Sequence, residues 1–496
     1  MITIEARRIT RPFTNIANIA RGAILSVCLA SPVAAQIRLP DIGESSAGSL
    51  SGLEEDTLGE AFLREIRAHL PLLEDVEVLS YIRTMGDKLV SQTEGDGLRA
   101  GFRFFVVDSP TVNAFAGPGG IIAVNAGLIT LTTNEGELAS VVAHEIAHVT
   151  QRHLARAIES SERSNPFKLA GLLAALVLAT QNAEAGQAAA ASVIAGSVQK
   201  RLDFTRQNEQ EADRVGIGLL ARAGFDPRAM PTFFERLQHS NRFYSQPPEF
   251  LSTHPVTVNR VSDSRARAEQ FPYKQYKDSI DYLFVKAKVL ALSIPDEKAA
   301  VEQARATLRA GLFRSEAATR YGLGVALMRA KQWEQAREQI DWLTKRYPER
   351  IALQDAIAQI ERHTGAVEKA EKIYVDALRL YPYDELMTHS LADLLAAENR
   401  PREVVNLLEA YTRAREPRSS TYDLLSQGYA GLNRPMEANA ALAERYFTLG
   451  DVSGAIHQLS IALDQRSNNE YATERAQARR EELLALQRQR AAVKRP

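Results

Sequence analysis

The pattern of hydrophobic and polar positions divides the chain into a mixed first half and a helical second half. Between residues 58 and 91, apolar side chains recur at spacings of three and four, which predicts two amphipathic helices. Two short apolar runs, Phe102–Val107 and Gly120–Val124, predict strands, and the turn-forming Gly117-Pro118-Gly119 precedes the second. From Asn134 onward the pattern is helical. An α+β unit followed by an all-helical unit is therefore expected.

The helical half carries a repeat of 34 residues. Four residues and two prolines return at this interval, and a third proline falls one residue late. They are Ala336, Ala370, Val404 and Ala438, then Pro348, Pro382 and Pro417. A period of 34 is typical of tetratricopeptide repeats, in which paired helices stack into a concave surface for protein contact. The phase is lost beyond Gly450, and the tail is expected to form a charged capping helix or to fray.

Composition and charge exclude several classes of protein. The chain has 496 residues, of which 45% are hydrophobic, with 60 basic residues against 61 acidic ones. This is an ordinary globular composition with a length typical of about three domains. Balanced charge argues against a nucleic-acid binder. The single cysteine, Cys28, excludes an intramolecular disulfide.

Residues 1 to 35 have the pattern of a cleavable export signal. A basic segment with four arginines precedes the short apolar run Gly22–Ala30, and Val33 and Ala35 are the small residues before the cleavage site. A membrane anchor is the weaker alternative, because this run falls far short of the ~20 residues that span a bilayer. Removal of the signal loses four arginines, one glutamate and Cys28, so the net charge changes from −1 to −4.

Two alanine-rich apolar runs, Leu169–Ala179 and Ala188–Val198, flank a polar stretch. Each is too short to cross a membrane, which argues against a membrane-embedded enzyme. The pattern predicts a helical hairpin. Burial in the core and a peripheral membrane contact both stay open for it.

One helical segment carries two histidines with the spacing of a zinc site, in the run His144-Glu145-Ile146-Ala147-His148. Residues four positions apart leave the same helix face, so both imidazoles can bind one zinc ion. Glu145 can reach the site as a general base. The motif lies among apolar residues, which argues against two ordinary surface histidines.

The residues after the motif narrow the search for a third ligand. The metzincin pattern requires glycine and histidine at positions 151 and 154, where this chain has Gln151 and Leu154. His153 is five positions after His148, which on a continuous helix turns it off the ligand face. A surface position is therefore expected for His153.

A stretch rich in carboxylates offers a better third ligand. Glu209, Glu211 and Asp213 lie within five residues on a predicted helix, and spacing alone does not rank them. Two histidines and one carboxylate leave one coordination position open, which is typical of a catalytic zinc site.

Four motifs together resemble one family of metallopeptidases. They are His144-Glu145-Ile146-Ala147-His148, Glu209-Gln210-Glu211-Ala212-Asp213, Asn113-Ala114-Phe115 and Thr253-His254-Pro255. The combination is similar to the zinc metallopeptidase family of HtpX and the CAAX prenyl protease. An export signal in front and tetratricopeptide repeats behind resemble its periplasmic branch. The resemblance covers nearly the whole mature chain.

The fold expected from pattern and resemblance has four parts. The signal peptide (1–35) precedes an α+β zincin-like metallopeptidase domain (36–275), an all-α tetratricopeptide-repeat domain (276–475) and a charged C-terminal tail (476–496).

The resemblance also implies roles for individual residues. In this family the first glutamate of the ExxAD pattern is the third ligand, which selects Glu209 beside the two histidines, with one zinc ion per chain. Asp213, one turn further on, is implied to orient a ligand. His254 is implied either to stabilise the transition-state oxyanion or to occupy the fourth zinc position and hold the enzyme latent. Arg260 matches a family position with an ion-pair role.

The expected function is an exported zinc endopeptidase in which Glu145 is the general base and Gly120–Val124 is an exposed strand edge that pairs with substrate. The resemblance implies the periplasm of a Gram-negative bacterium, with chaperone-like activity in quality control and assembly of outer-membrane β-barrel proteins. Its implied partners are misfolded or stalled outer-membrane proteins and, through the repeat domain, the β-barrel assembly machinery. The alternative is a repeat-based periplasmic chaperone or adaptor with an inactive metal site.

Overall fold

The computed structural model describes residues 52–93, 101–160, 198–241, 248–311, 313–415, 417–465 and 469–493. The predicted export signal lies outside these residues. So do the two alanine-rich runs, apart from Val198, where a helix begins. Within the described ranges, no helix combines the length and the apolar character that crossing a bilayer requires.

The first unit contains nine helices and three strands among the described residues. In chain order the helices are α1 (Gly52–His69), α2 (Val76–Val90), α3 (Ala126–Leu131), α4 (Glu135–Thr150), α5 (His153–Ser160), α6 (Val198–Arg222), α7 (Ala229–Asn241), α8 (Glu249–Thr253) and α9 (Val258–Ala268). The strands are β1 (Arg103–Val107), β2 (Ala114–Gly117) and β3 (Ile121–Asn125). A short 3₁₀ turn, Pro118–Gly120, joins β2 to β3.

The sheet has the order β1-β3-β2, with β1 parallel and β2 antiparallel to β3. The central strand is therefore β3, and Ile122 lies between Phe104 of β1 and Ala116 of β2. The prediction that Gly120–Val124 offers a free edge is wrong, because both sides of this strand carry backbone hydrogen bonds to neighbours. β2 was not predicted: its four residues are too few for a clear alternation.

Side chains of the sheet alternate between two cores, since successive residues of a strand point to opposite faces. Ile122 and Val124 pack with α2, α4 and α6. Ile121 and Ala123 face the other way, against Phe62 and its neighbours on α1. The sheet is thus covered by α1 on one face and by the motif helix α4 on the other.

The second unit is a series of helix pairs. Its helices are α10 (Ile280–Leu292), α11 (Glu297–Ala310), α12 (Glu316–Arg329), α13 (Trp333–Thr344), α14 (Ile351–His363), α15 (Val367–Leu380), α16 (Glu385–Ala397), α17 (Pro401–Ala414), α18 (Ser419–Gly431), α19 (Pro435–Thr448), α20 (Val452–Asp464) and α21 (Glu470–Val493). The predicted fold class, an α+β unit followed by an all-helical one, is confirmed. The predicted tail from residue 476 belongs to α21, in which Ala476 and Leu483 are buried.

The 34-residue period appears directly in the helix boundaries. Helices α13, α15, α17 and α19 begin at intervals of 34 residues, and the residues at the repeat positions Ala336, Ala370, Val404 and Ala438 are all buried. The turn before each of these helices contains a residue with positive φ, again 34 apart: Lys331, Gly365, Asn399 and Asn433. The next such residue, Gly450, comes after half a period, but α20 and α21 still begin at Val452 and Glu470, within one residue of the positions that the 34-residue period gives. The helices therefore keep the period where the sequence pattern loses it.

The repeat array contacts the first unit at several points. Lys288 of α10 lies 2.9 Å from Asp75 and 2.8 Å from Glu77, at the start of α2. Near the other end of the array, Arg64 of α1 donates a hydrogen bond of 3.2 Å to the carbonyl of Gly450. The predicted limit between the units, 275/276, falls between α9 and α10.

Candidate metal centre

Helix α4 presents the two histidines of the motif on one buried face. It begins at an N-cap, Asn134, whose side chain accepts a hydrogen bond from the Glu137 amide at 2.9 Å. One turn separates His144 from His148, and their Nε2 atoms are 3.0 Å apart. The apolar remainder of α4 packs into the core, so the core holds the histidine face in place.

Helix α6 brings a carboxylate to the two histidines. Glu209 lies with Oε2 3.3 Å from His144 Nε2 and Oε1 3.4 Å from His148 Nε2. Asp213 is one turn further along, and its Oδ1 lies 3.0 Å from His144 Nδ1. Glu211 points elsewhere and pairs with Arg156. The three carboxylates that spacing left unranked are thus separated by the fold.

The fourth side chain in the cluster is His254, which follows the short helix α8. Its Nδ1 lies 3.3 Å from His144 Nε2 and 3.1 Å from Glu209 Oε1. The loop is held by the Phe250 amide, which donates to the carbonyl of Val112 just before β2. His254 is therefore tied to the edge strand as well as to the cluster.

Glu145 is buried beside this cluster, and its Oε1 lies 3.4 Å from His254 Nε2. No protein group hydrogen-bonds this Oε1 among the described residues. A carboxylate in this position can exchange a proton with a small molecule that enters the cluster.

The four side chains fit a zinc ion. Their ligand atoms, from His144, His148, Glu209 and His254, all lie within 4.8 Å of one another. With Oε2 as the ligand atom of Glu209, four pairs among these atoms are separated by 3.0 to 3.3 Å. A tetrahedron with metal–ligand bonds of ~2.0–2.1 Å has edges of about 3.3–3.4 Å, so the observed spacings match its shape. Imidazole and carboxylate are also the donors that zinc prefers outside thiolate sites.

Arg260 of α9 contacts two carboxylates of the site, those of Asp213 and Glu209. Its Nε and Nη2 each donate to Asp213 at 2.8 Å, and its Nη1 lies 2.8 Å from Glu209. From the sequence, Arg260 was expected to form an ion pair, but the residues that it pairs with were not identified. The two-pronged geometry on Asp213 is the one that guanidinium groups prefer with carboxylates.

Neighbouring charges keep the carboxyl groups of Glu209 and Asp213 ionised. Burial opposes ionisation of Glu209, but the three facing histidines outweigh it and hold the pKa of Glu209 well below its usual range. Burial also opposes ionisation of Asp213, yet Arg260 and His144 keep its pKa below the ordinary value. Although burial lowers the pKa of His144, hydrogen bonds to Asp213 and Glu209 raise it to about 9. The site stabilises positive charge at its centre.

His153 departs from its predicted surface position. It is only 4% exposed, and its Nδ1 lies 2.8 Å from His148 Nδ1. The spacing argument assumed a continuous helix, but α4 ends at Thr150 and Arg152 adopts a positive φ of 53° before α5 begins. This left-handed residue turns the chain back toward the site. The local sequence carried no glycine at position 152 to indicate the turn.

Comparisons with known proteins agree with this geometry. The model of peptidase family M48 matches residues 80–268, which run from α2 to the end of α9. The β-barrel assembly-enhancing protease of Yersinia pestis is 37% identical over 428 residues, covering 86% of this chain and 88% of that protein. Its counterpart from Escherichia coli K12 is 36% identical over 451 residues, covering 90% and 92%.

A more distant relative shares part of the chain. The mitochondrial metalloendopeptidase OMA1 of Bos taurus is 29% identical over 241 residues, covering 47% of this chain and 44% of that protein. The chain therefore belongs to peptidase family M48, on the branch of the β-barrel assembly-enhancing proteases, and is a zinc metallopeptidase.

Proposed function

We propose that this chain is a periplasmic zinc endopeptidase that acts on outer-membrane β-barrel proteins during their assembly, and that His254 holds it latent until a client engages. The observation that carries the proposal is the buried cluster of His144, His148 and Glu209, with His254 and Glu145 against it. The rest of the proposal assigns a role to each of these groups.

In the proposed site His144, His148 and Glu209 bind one zinc ion. When bound, zinc lowers the pKa of a water molecule toward about 7 and polarises the scissile carbonyl. Glu145 takes the proton of the attacking water and passes it to the leaving amine. Asp213 Oδ1 lies 3.0 Å from His144 Nδ1 and is proposed to fix the orientation of that imidazole. Arg260 keeps Asp213 and Glu209 ionised and in place.

Substrate backbone is proposed to pair with β2 rather than with the central β3. Among the described strands, β2 has a neighbour only on its β3 side. It contains the motif Asn113-Ala114-Phe115 at its start, and Thr253 Oγ1 lies 3.4 Å from Asn113 Oδ1. An extended peptide added to this edge would be aligned beside the loop that carries His254.

Latency follows from the position of His254. Its Nδ1 is inside the cluster, where it can act as a fourth ligand in place of a water molecule. The contact between Phe250 and Val112 links that loop to the substrate edge, so a peptide on β2 could displace His254. In the alternative role, His254 stabilises the oxyanion of the transition state, and its replacement would slow cleavage instead.

The biological setting is proposed from the relatives and the sequence. Two curated relatives that match most of this chain are β-barrel assembly-enhancing proteases, and the predicted export signal would direct this chain to the periplasm. The proposed partners are misfolded or stalled outer-membrane proteins and the β-barrel assembly machinery. The repeat array offers a surface for both, with chaperone-like activity independent of cleavage.

The test compares zinc content and casein cleavage in the mature chain and two variants. Wild type should contain one zinc per chain by mass spectrometry, and His254→Ala should cleave much faster than wild type. The double variant Glu145→Gln/His254→Ala should still bind zinc, and its cleavage rate should be about 10²–10⁴-fold below that of His254→Ala. The assignment would be overturned if the double variant cleaved casein as fast as His254→Ala. It would also be overturned if wild type contained no stoichiometric zinc.

A second function is favoured by the same position of His254. If that ligand is permanent, the chain is a periplasmic chaperone or adaptor with an inactive metal site. Silence of both wild type and His254→Ala against casein and an unfolded barrel protein, with retained suppression of barrel aggregation, would support this alternative.

A further inference from the structure

Behind the cluster, a second histidine contacts one of the proposed zinc ligands. His153 Nδ1 lies 2.8 Å from His148 Nδ1, and His153 Nε2 lies 3.2 Å from Glu211 Oε2. The ring is buried between these partners, with a centroid 4.7 Å from that of His148. Arg156 donates to the same Glu211 oxygen at 2.7 Å.

We propose that His153 is a positioning residue, which accepts a hydrogen bond from His148 Nδ1 and so fixes the tautomer and the ring orientation of that ligand. The proposal rests on the proposed function, in which His148 binds zinc through Nε2. Its partner Glu211 anchors the far side of the His153 ring.

The positions of the protons follow from the geometry. A histidine that offers the Nε2 lone pair to a metal carries its proton on Nδ1, so His148 is the donor in the contact with His153. The Nδ1 of His153 must then be the acceptor, and its proton lies on Nε2. From there it points to Glu211, whose carboxylate is held ionised beside Arg156. His148 Nδ1, both ring nitrogens of His153 and Glu211 Oε2 then each have a partner of the correct kind.

The two motif histidines are thus oriented by different devices. His144 Nδ1 faces a carboxylate directly, that of Asp213. His148 reaches its carboxylate, Glu211, only through the imidazole of His153. The left-handed backbone at Arg152 makes this possible, because it ends the turn after α4 and returns the chain to the site.

Loss of His153 should weaken zinc binding while leaving the ligand set intact. His153→Leu removes the acceptor and the link to Glu211. Removing such an outer partner typically raises the metal dissociation constant about 10–100-fold. His153→Asn places an amide oxygen near the position of Nδ1, so it restores the acceptor for His148. We expect its zinc dissociation constant to lie at most about threefold above that of wild type.

The experiment measures zinc dissociation constants by chelator competition on the mature chain, together with the visible spectrum after cobalt substitution. His389→Leu is the matched control, because His389 is a buried histidine of α16 in the repeat array, where its Nε2 lies 2.8 Å from Thr421 Oγ1. Its dissociation constant and cobalt spectrum should equal those of wild type, whereas His153→Leu should change both.

Two results would overturn the inference: a His153→Leu protein that binds zinc as tightly as wild type, or a His153→Asn protein as weak as His153→Leu. If His153→Leu does not fold, Glu211→Ala takes its place, and unchanged zinc affinity there would also count against the relay. A wild type that holds no zinc would overturn the proposed function and this inference together. Tight wild-type binding with no effect of these variants would overturn the inference alone.

Discussion

Replacing Arg260 with methionine should loosen helices α4 and α6 in the metal-free protein. The guanidinium is 3% exposed and makes three contacts of 2.8 Å with the carboxylates of Asp213 and Glu209. Methionine keeps a similar apolar length but leaves two buried carboxylates without their cation. Removing one partner of a buried ion pair typically costs about 3–5 kcal/mol, because the other charge stays buried and uncompensated.

The assay must report on the first unit alone. Both tryptophans, Trp333 and Trp342, lie in the repeat array, so their fluorescence does not follow the motif helix. Hydrogen exchange with mass spectrometry on peptides from α4 and α6 measures the local opening free energy. A loss of about 3–5 kcal/mol corresponds to a fall in protection of about 10²–10⁴-fold. The loss should be smaller in zinc-loaded protein, since an ion bound in the proposed site would supply positive charge to Glu209.

Two further variants make the Arg260 experiment decisive. Arg379→Met removes an exposed pair with Asp376 and should leave exchange in α4 and α6 unchanged. Adding Asp213→Asn to Arg260→Met should restore part of the protection, because one of the two stranded charges is removed. The reasoning is refuted if metal-free Arg260→Met protects α4 and α6 to within about threefold of wild type, or under ~0.7 kcal/mol.

Two other predictions concern parts of the molecule outside the cluster. Burial raises the pKa of Asp355 to about 6 from an ordinary 3.8, so the unfolded chain binds fewer protons than the folded one between these pH values. The free energy of unfolding should therefore fall by about 2 kcal/mol as pH rises from 4 to 6. Asp355→Asn should abolish this slope in urea unfolding followed by tryptophan fluorescence; an unchanged slope would contradict the cause. Gly127→Ala should cost about 1–3 kcal/mol in the thermal unfolding of the first unit, because its Cβ would lie 2.0 Å from the carbonyl oxygen of Pro110. The control Gly218→Ala meets only the flexible end of Arg222 on α6, and equal stability of both variants would refute the steric argument.

Features carried by local periodicity were predictable from the sequence. The helix around His144 and His148 follows from the apolar positions of α4, and the one-turn spacing follows from helix geometry. The repeat array was equally predictable. Each 34-residue unit contacts mainly its neighbours, so the same buried positions recur every 34 residues.

The contributions of separate segments to the site were not predictable in this way. Spacing on α6 places Glu209 and Asp213 on one helix face, but only the packing of α6 against α4 decides that this face meets the histidines. Arg260 and His254 reach the cluster from other elements, far along the chain. Their partners are set by tertiary contacts that leave no period in the sequence.

The sequence by itself determined the zinc-type motif, the α+β and repeat halves, and the residues available as ligands. The tertiary structure decided which strand is the edge, since β3 takes neighbours on both sides and β2 on one. It also decided that His153 faces His148, through a left-handed turn at Arg152 that a helical projection does not contain. The physical reason is the same in both cases. The periodicity of a segment indicates which of its faces is buried and which is exposed to solvent. Strand order and side-chain partners depend instead on where distant segments pack.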